Sequence, residues 1–381
     1  MWACRYLTAT ERPTMLRILN CSERSSRERR TAMLRIGIVG IGFMGYTHFE
    51  GARALKGARV TAIATRDKKK LAGNWTGIQG NFGPPGGHVD LSKVKQYSDY
   101  RELLADPEID LVDICLPTDL HESVALESIA AGKPTLVEKP IALDLKAADR
   151  VVTAAKKAGV PLFVAQVLPF FPEFRFASEC VHGGKYGRLL AAHFRRVITP
   201  PKWSRHIENF RKLGGWGIDL HIHDNHFILL LCGRPQKVFS RGIVSEGFVN
   251  HVHSQYIYAD PQLAVSCVSG GIAATGLQFV HGFELYLEQA TIVYSAGTIG
   301  GVWHADRPLT LITNNGKAVT PKLKGDGTWC APFTAELQAA VDAVREGKEA
   351  PILSGELARD ALGLCYAEAK SITSAKPVAV A

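Results

Sequence analysis

Residues 34–39 read Leu-Arg-Ile-Gly-Ile-Val, and Gly40-Ile41-Gly42-Phe43-Met44-Gly45 follows at once. A helix-like stretch, 47–55, comes next, and then a β-rich run at 58–64. Strand, G-x-G-x-x-G, helix and strand within about thirty residues is the context in which that motif binds a dinucleotide. Gly40 permits a tight turn, Gly42 lets the backbone approach a pyrophosphate, and Gly45 lets helix and strand pack closely. The phosphates sit at the helix N-terminus, where unpaired N–H groups and the macrodipole favour anions.

The end of the second strand chooses the cofactor. An acid there binds a ribose 2′-hydroxyl, whereas Arg accommodates a 2′-phosphate. The sequence is Thr65-Arg66-Asp67-Lys68-Lys69-Lys70. Thr65 falls where the acid belongs, and Arg66 with Lys69 would meet a phosphate, so NADP is favoured over NAD. Asp67 is either the acid in a register shifted by two, or the cap of the next helix. A Gly/Pro-rich stretch, 73–87, reads as a surface loop or irregular insertion. Alternation then resumes with helix 98–104, strand 111–116, helix 122–131, strand 135–137, helix 145–158 and strand 162–166. This βα repetition predicts a parallel, doubly wound sheet. Its ligand belongs outside the carboxyl ends of the strands, next to Leu116-Pro117-Thr118 and Glu138-Lys139-Pro140. Beyond Gly233 the pattern becomes successive β-like runs at 237–242, 251–258, 264–268, 274–281, 283–288, 291–295 and 309–313, a second sheet.

The chain has 381 residues and a formal net charge of +9. Seven arginines against three glutamates fall in residues 1–32, and no basic stripe interleaved with aromatics appears elsewhere. The charge therefore reads as attraction for anionic small ligands, not as a nucleic-acid footprint. No apolar run is long enough for a membrane span. The eight cysteines are scattered without a C-x-x-C, which points to a reducing, cytoplasmic setting. Residues 1–32 have no consistent apolar period. They read as a disordered tail or a start assigned too early, with Met33 as the real first residue, or else as an Arg- and Ser-rich targeting segment.

At Glu138-Lys139-Pro140 the chain resembles the Gfo/Idh/MocA family, which contains glucose–fructose oxidoreductase and inositol dehydrogenase. The resemblance runs from Met33 to about Val378. It also rests on Gly40–Gly45, on Val112–Thr118 with His121, on Ala131-Gly132-Lys133-Pro134, and on Gly214-Gly215 with Asp219 and His223. Val344–Gly347 and Leu353–Glu356 complete it. It implies an α/β fold: a Rossmann domain, then an α/β domain with a large, mostly antiparallel open sheet, whose outer face often forms dimers. The expected divisions are an extension (1–32), the NAD(P)-binding domain (33–160), a substrate and oligomerisation domain (161–352) and a C-terminal helix returning to the first domain (353–381). A homodimer or homotetramer is expected by the same analogy.

The resemblance also implies that Lys139 contacts nicotinamide ribose and substrate, and that Asp219 and His223 complete the catalytic set. Asp219 and His223 are four apart and would share a helix face. An imidazole has the pKa a base needs to take a hydroxyl proton as hydride leaves the carbon, and a lysine beside the developing carbonyl oxygen acts electrostatically. Expected cofactor contacts are Gly40, Ile41, Gly42, Phe43, Met44, Gly45, Thr65, Arg66, Leu116, Pro117, Thr118, His121, Glu138, Lys139, Pro140 and Gln166. Expected substrate contacts are Lys139, Trp203, Arg205, Asp219, His221 and His223. Where the family commonly has a third glycine after Gly214-Gly215, this chain has Trp216.

His221-Ile222-His223-Asp224-Asn225-His226 offers metal-ligand types. On a helix, however, His221 and His223 stand about 200° apart and cannot hold one ion, so no metal is expected; extended, they could. His221 is expected to line the substrate pocket and His226 to pack on the second sheet. Leu168–Phe174 is either a more apolar pocket wall or a domain junction fixed by two prolines. The expected activity is NAD(P)-dependent hydride transfer at a hydroxyl carbon of a sugar, cyclitol or sugar derivative. The alternatives are a glycosidase-like enzyme with a transient redox step and a non-catalytic NAD(P) sensor.

Overall fold

The protein is described from a computed structural model, which covers residues 33–80, 82–199, 213–325 and 327–380. The 1–32 extension, Trp203 and Arg205 lie outside these described residues.

The first sheet is built from β1 (Leu34–Val39), β2 (Ala58–Ala64), β3 (Lys95–Tyr97), β4 (Leu111–Ile114), β5 (Thr135–Glu138) and β6 (Leu162–Ala165). The strands run in the order β3-β2-β1-β4-β5-β6, and every pairing is parallel. β4 and β5 are buried at every position, which is why they read as continuous apolar runs without alternation: a parallel sheet is covered on both faces. The order reverses between β1 and β4, which opens a crevice at their carboxyl ends.

The intervening helices are α1 (Phe43–Ala52), α2 (Lys68–Leu71), α3 (Tyr100–Ala105), α4 (His121–Ala130) and α5 (Leu145–Ala158). α5 shows how locally its limits are set. Asp144 accepts the Ala147 N–H at its start, Gly159 ends it at φ 64°, and Ala147, Ala148, Val151 and Ala155 form its buried stripe.

Stretch 73–87 is irregular but not peripheral. Trp75 is fully buried, and its indole N–H donates to the Lys70 carbonyl at 2.8 Å. Periodicity could not reveal this, because a single aromatic anchors a loop without any repeat.

The second sheet has nine strands in the order β14-β13-β12-β11-β7-β10-β9-β8-β15. They are β7 (Leu189–Ile198), β8 (Lys237–Ser245), β9 (Phe248–Ile257), β10 (Ala264–Gly271), β11 (Leu277–Leu287), β12 (Ala290–Ile299), β13 (Val302–Thr313), β14 (Ala318–Val319) and β15 (Val378–Ala379). Among the described residues of this sheet only β7 and β10 pair in parallel; the other ladders are antiparallel. The runs 274–281 and 283–288 are one strand, β11, which continues through Gly282. β7 and α6 (Pro172–His182) are additions to the sequence reading, with Pro172 at the start of α6, where its missing N–H costs nothing.

α6 and α8 (Ile222–Cys232) cover one face of this sheet, where Phe174 and Phe227 meet Phe194 and Phe283 edge-on. Beneath them Arg196 of β7 pairs with Asp224 of α8 at 3.0 Å, both buried.

Two C-terminal helices cross back. α9 (Ala331–Glu346) lies on α1: the Thr334 hydroxyl donates to the Gly51 carbonyl at 2.9 Å, and Leu337, Ala340 and Val341 join Ile36 and Ile38 in one core. α10 (Gly355–Ser374) touches both halves. Arg359 reaches Asp149 of α5 at 2.8 Å, while Glu368 reaches His221 in the second domain at 2.9 Å.

Removing one partner of a buried ion pair strands the other in a poor solvent, so Asp224→Ala is expected to cost about 3–5 kcal/mol. Urea denaturation checks this; a loss below about 1 kcal/mol would mean that Arg196 finds water or another partner.

Candidate active site

Each glycine of the β1–α1 turn meets its own constraint. Gly40 has φ +96°, and a Cβ there would stand 2.7 Å from the Cys115 carbonyl oxygen. A Cβ on Gly45 would stand 2.0 Å from the Gly40 carbonyl oxygen. At Gly42 nothing lies within 4 Å. Gly42 is also the N-cap of α1 without a side-chain cap, so the first-turn N–H groups face an open cradle. This fits a pyrophosphate. Ile41 is buried beside the cradle, and Phe43 and Met44 open the helix half-buried.

At the end of β2, Asp67 is a cap: its carboxylate accepts the Lys69 and Lys70 N–H groups at 2.9 and 3.3 Å. Thr65 is half-buried and Arg66 exposed. It is Lys70 that turns to the glycine loop, donating to the Ile41 carbonyl at 2.6 Å. Sequence reading singled out Lys69 because it could not see which face of so short a helix points inward.

Leu116, Pro117 and Thr118 follow β4 and lead into a single 3₁₀ turn, Thr118–Leu120. His121 braces this edge: its two ring nitrogens lie 2.7 Å from the carbonyls of Leu116 and Pro140. It therefore ties the ends of β4 and β5 together and leaves no ring nitrogen over for a ligand. Gln166, just past β6, is fully buried, with neither amide atom hydrogen-bonded among the described residues. Such an orphaned amide fits a polar ligand group in the crevice.

Glu138-Lys139-Pro140 closes β5, with a cis bond before Pro140. The Lys139 ammonium donates to the Asp219 carbonyl at 2.7 Å and carboxylate at 2.9 Å, across the boundary between the two domains. Both side chains are only partly exposed, so the pair is sheltered. Asp219 ends the short helix α7 (Trp216–Asp219), and His223 lies in the first turn of α8. They do not share one helix, because Leu220 and His221 separate the two. They are nevertheless gathered at one place. Burial first, then the charges of Lys139 and Arg196, hold the His223 imidazole well below its ordinary pKa, so it is neutral and able to accept a proton.

His221 does not line the pocket. It is buried with Nε2 2.9 Å from Glu368, in a network with Asn225 and Tyr256. His221, Asp224 and Cys267 also lie close enough to hold an ion. The carboxylates of that region are already engaged, by Arg196 and by His221 itself. His226 is fully buried in α8. Trp216 fills the place of the third glycine and packs against Ile198 and Leu220.

Residues 34–166 match the model of the Gfo/Idh/MocA family, an oxidoreductase family with an NAD-binding Rossmann fold. The myo-inositol 2-dehydrogenase of Thermotoga maritima is 26% identical over 353 residues, spanning 91% of this chain and 98% of the relative. Residues 34–166 thus carry the NAD-binding Rossmann domain of the Gfo/Idh/MocA oxidoreductase family. Inositol 2-dehydrogenase 1 of Mycolicibacterium vanbaalenii is likewise 26% identical to this oxidoreductase, over 91% of the chain and 95% of the relative. The solved structure of an Agrobacterium radiobacter oxidoreductase in complex with NAD+, L-tartaric acid and magnesium shares the fold. Its TM-score is 0.73 at 19% identity, covering 92% of this chain and 99% of that one.

The depressed His223 pKa has a direct check. Its ring signals in NMR should titrate below pH 6.5, and Lys139→Met should move the midpoint upward by removing the largest charge that opposes protonation. An unmoved midpoint would place Lys139 too far away to act on that ring.

Proposed function

We propose that this oxidoreductase transfers hydride between NAD(P) and a hydroxyl carbon of a neutral sugar or cyclitol. The observation that carries this reading is the Lys139–Asp219 pair, 2.9 Å apart beside the neutral His223, at the carboxyl end of a nucleotide-binding sheet. A bound nicotinamide supplies the hydride acceptor or donor. His223 takes the hydroxyl proton in the oxidative direction and returns it in the reverse one. The Lys139 ammonium favours negative charge on that same oxygen, and Asp219 fixes the ammonium and can accept a neighbouring hydroxyl. Among the described residues Lys139 and Arg196 are each matched by a carboxylate, which suits hydroxyl groups better than an anion. The inositol dehydrogenase relatives support the same substrate class.

NADP is favoured over NAD. No acid ends β2 free to meet a 2′-hydroxyl, since Asp67 is occupied as a cap, while Arg66 is exposed and Lys70 sits on the glycine loop. Offered both cofactors and a panel of sugars, inositols and sugar acids, the protein should raise absorbance at 340 nm, faster with NADP. Lys139→Ala should lower kcat by about 10²–10⁴-fold. Tight cofactor binding with no turnover anywhere in the panel would overturn the dehydrogenase in favour of a sensor or glycosidase-like role.

The outer face of the second sheet is the surface we assign to self-association. Ile257, Ala264, Ala191, Tyr286, Thr291 and Ile312 stand opposite one another, strand to strand, in one row across it. Ile257, Tyr286 and Ile312 are each about two-fifths exposed, at 39%, 40% and 39%. Sedimentation equilibrium should give a dimer or tetramer mass that Tyr286→Glu lowers; a monomer at micromolar concentration would remove this assignment.

A further inference from the structure

Beneath the site lies a buried charge cluster with no place in the chemistry above. His48, three residues past Gly45 on α1, is fully buried. Its Nδ1 lies 2.9 Å from an Asp113 carboxylate oxygen on β4, and its Nε2 lies 3.1 Å from Glu138 Oε1 on β5. The other Glu138 oxygen accepts the Lys139 backbone N–H at 3.0 Å. From a third side Glu336 of α9 brings a carboxyl to 4.0 Å of the ring, itself fully buried and without a hydrogen bond among the described residues. Burial alone would strip the proton from His48, but Asp113 and Cys115, whose Sγ lies 3.4 Å from Nδ1, outweigh it, so the ring stays an imidazolium. Burial holds Glu336 in its neutral acid form.

An ion set of this kind is costly to bury, and apolar side chains of the same volume would hold three elements together at least as well. What it does that apolar packing cannot do is occupy the Glu138 carboxylate. Glu138 is the chain neighbour of Lys139, whose ammonium must reach Asp219 on the other domain. A Glu138 carboxylate without its imidazolium would be an unbalanced negative charge on the residue preceding Lys139, bonded to its backbone N–H, and would draw the ammonium away from Asp219.

We propose that Asp113, His48 and Glu138 form a positioning relay that keeps Glu138 neutralised, so that Lys139 stays paired with Asp219 across the cleft. His48 touches no reacting atom; it acts through Glu138. The proposal rests on Lys139 as the reactive lysine of the proposed dehydrogenase, but its test does not depend on turnover.

The test is a cycle of His48→Gln, Glu138→Gln and the double variant, each first shown to be folded by circular dichroism and thermal melting. The full-length protein is labelled with an amine-acylating reagent across a pH series, and Lys139 modification is quantified by peptide mass spectrometry. In His48→Gln the exposed Glu138 charge should raise the Lys139 titration midpoint by about one unit. In the double variant, where that charge is gone, the midpoint should return to the wild-type value. If wild type turns over a polyol, kcat should fall about 100-fold in His48→Gln with KM little changed. A merely structural histidine predicts the opposite, a double variant no better than the single one. An unmoved Lys139 midpoint in folded His48→Gln overturns the relay. Should His48→Gln not fold, a folded Glu138→Ala decides the matter by itself. Losing the Lys139 N–H acceptor must then change its labelling profile, and an unchanged profile overturns the relay. A wild type inactive on every polyol would count against the dehydrogenase, while the labelling arm still judges the relay.

Discussion

One ammonium group holds the arrangement together at the point where it has to work. Lys139 leaves the end of a strand in the first domain and is received by the carbonyl and carboxylate of Asp219 in the second. The two domains have separate sheets, and each contributes half of this contact. The parallel sheet places Lys139 where strand ends open a crevice, and the nine-stranded sheet supports the two helices that carry Asp219 and His223. The same ammonium helps keep His223 neutral. A single charge thus joins the halves, faces the cleft and lowers the pKa of the His223 imidazole.

Two buried ionic networks lie on either side of that contact. On the first domain His48 sits among Asp113, Glu138 and Glu336. On the second His221 sits against Glu368, with Asn225 and Tyr256 completing its shell. Each network includes a residue from a C-terminal helix, Glu336 of α9 and Glu368 of α10. Only α10 supplies a counter-charge, Glu368 against His221, whereas the neutral Glu336 of α9 closes the His48 cluster, whose charge is balanced within the first domain by Asp113 and Glu138. Carboxylate partners push His48 and His221 toward the protonated form, whereas the half-buried His223 and the buried His281, both near Arg196, are held neutral.

The parts of the fold legible in the sequence were those encoded over short distances. The glycine turn announced itself because each glycine answers to contacts within its own βαβ unit, as at Gly45 and Gly40. The α5 helix was visible from Asp144 to Gly159, since its caps and apolar stripe are all local. Strand β7 was missed, for it joins both halves of its sheet and half of its pattern is set by partners far along the chain. His48 was passed over as one polar residue on an apolar helix. Its partners lie 65, 90 and 288 positions away, a spacing no motif displays.

The sequence by itself determined the chemistry on offer: a dinucleotide cradle, a lysine at a strand end, and an Asp and a His four residues apart. These are statements about residue type and short spacing, which fix backbone freedom, charge and basicity. Only the tertiary structure decided which groups are used and how. It turned His221 away from the cleft to Glu368, made Asp67 a cap and Lys70 the cation on the glycine loop, and broke the helix between Asp219 and His223. The reason is that a side chain's protonation and direction depend on what surrounds it, and those surroundings are assembled from segments hundreds of residues apart.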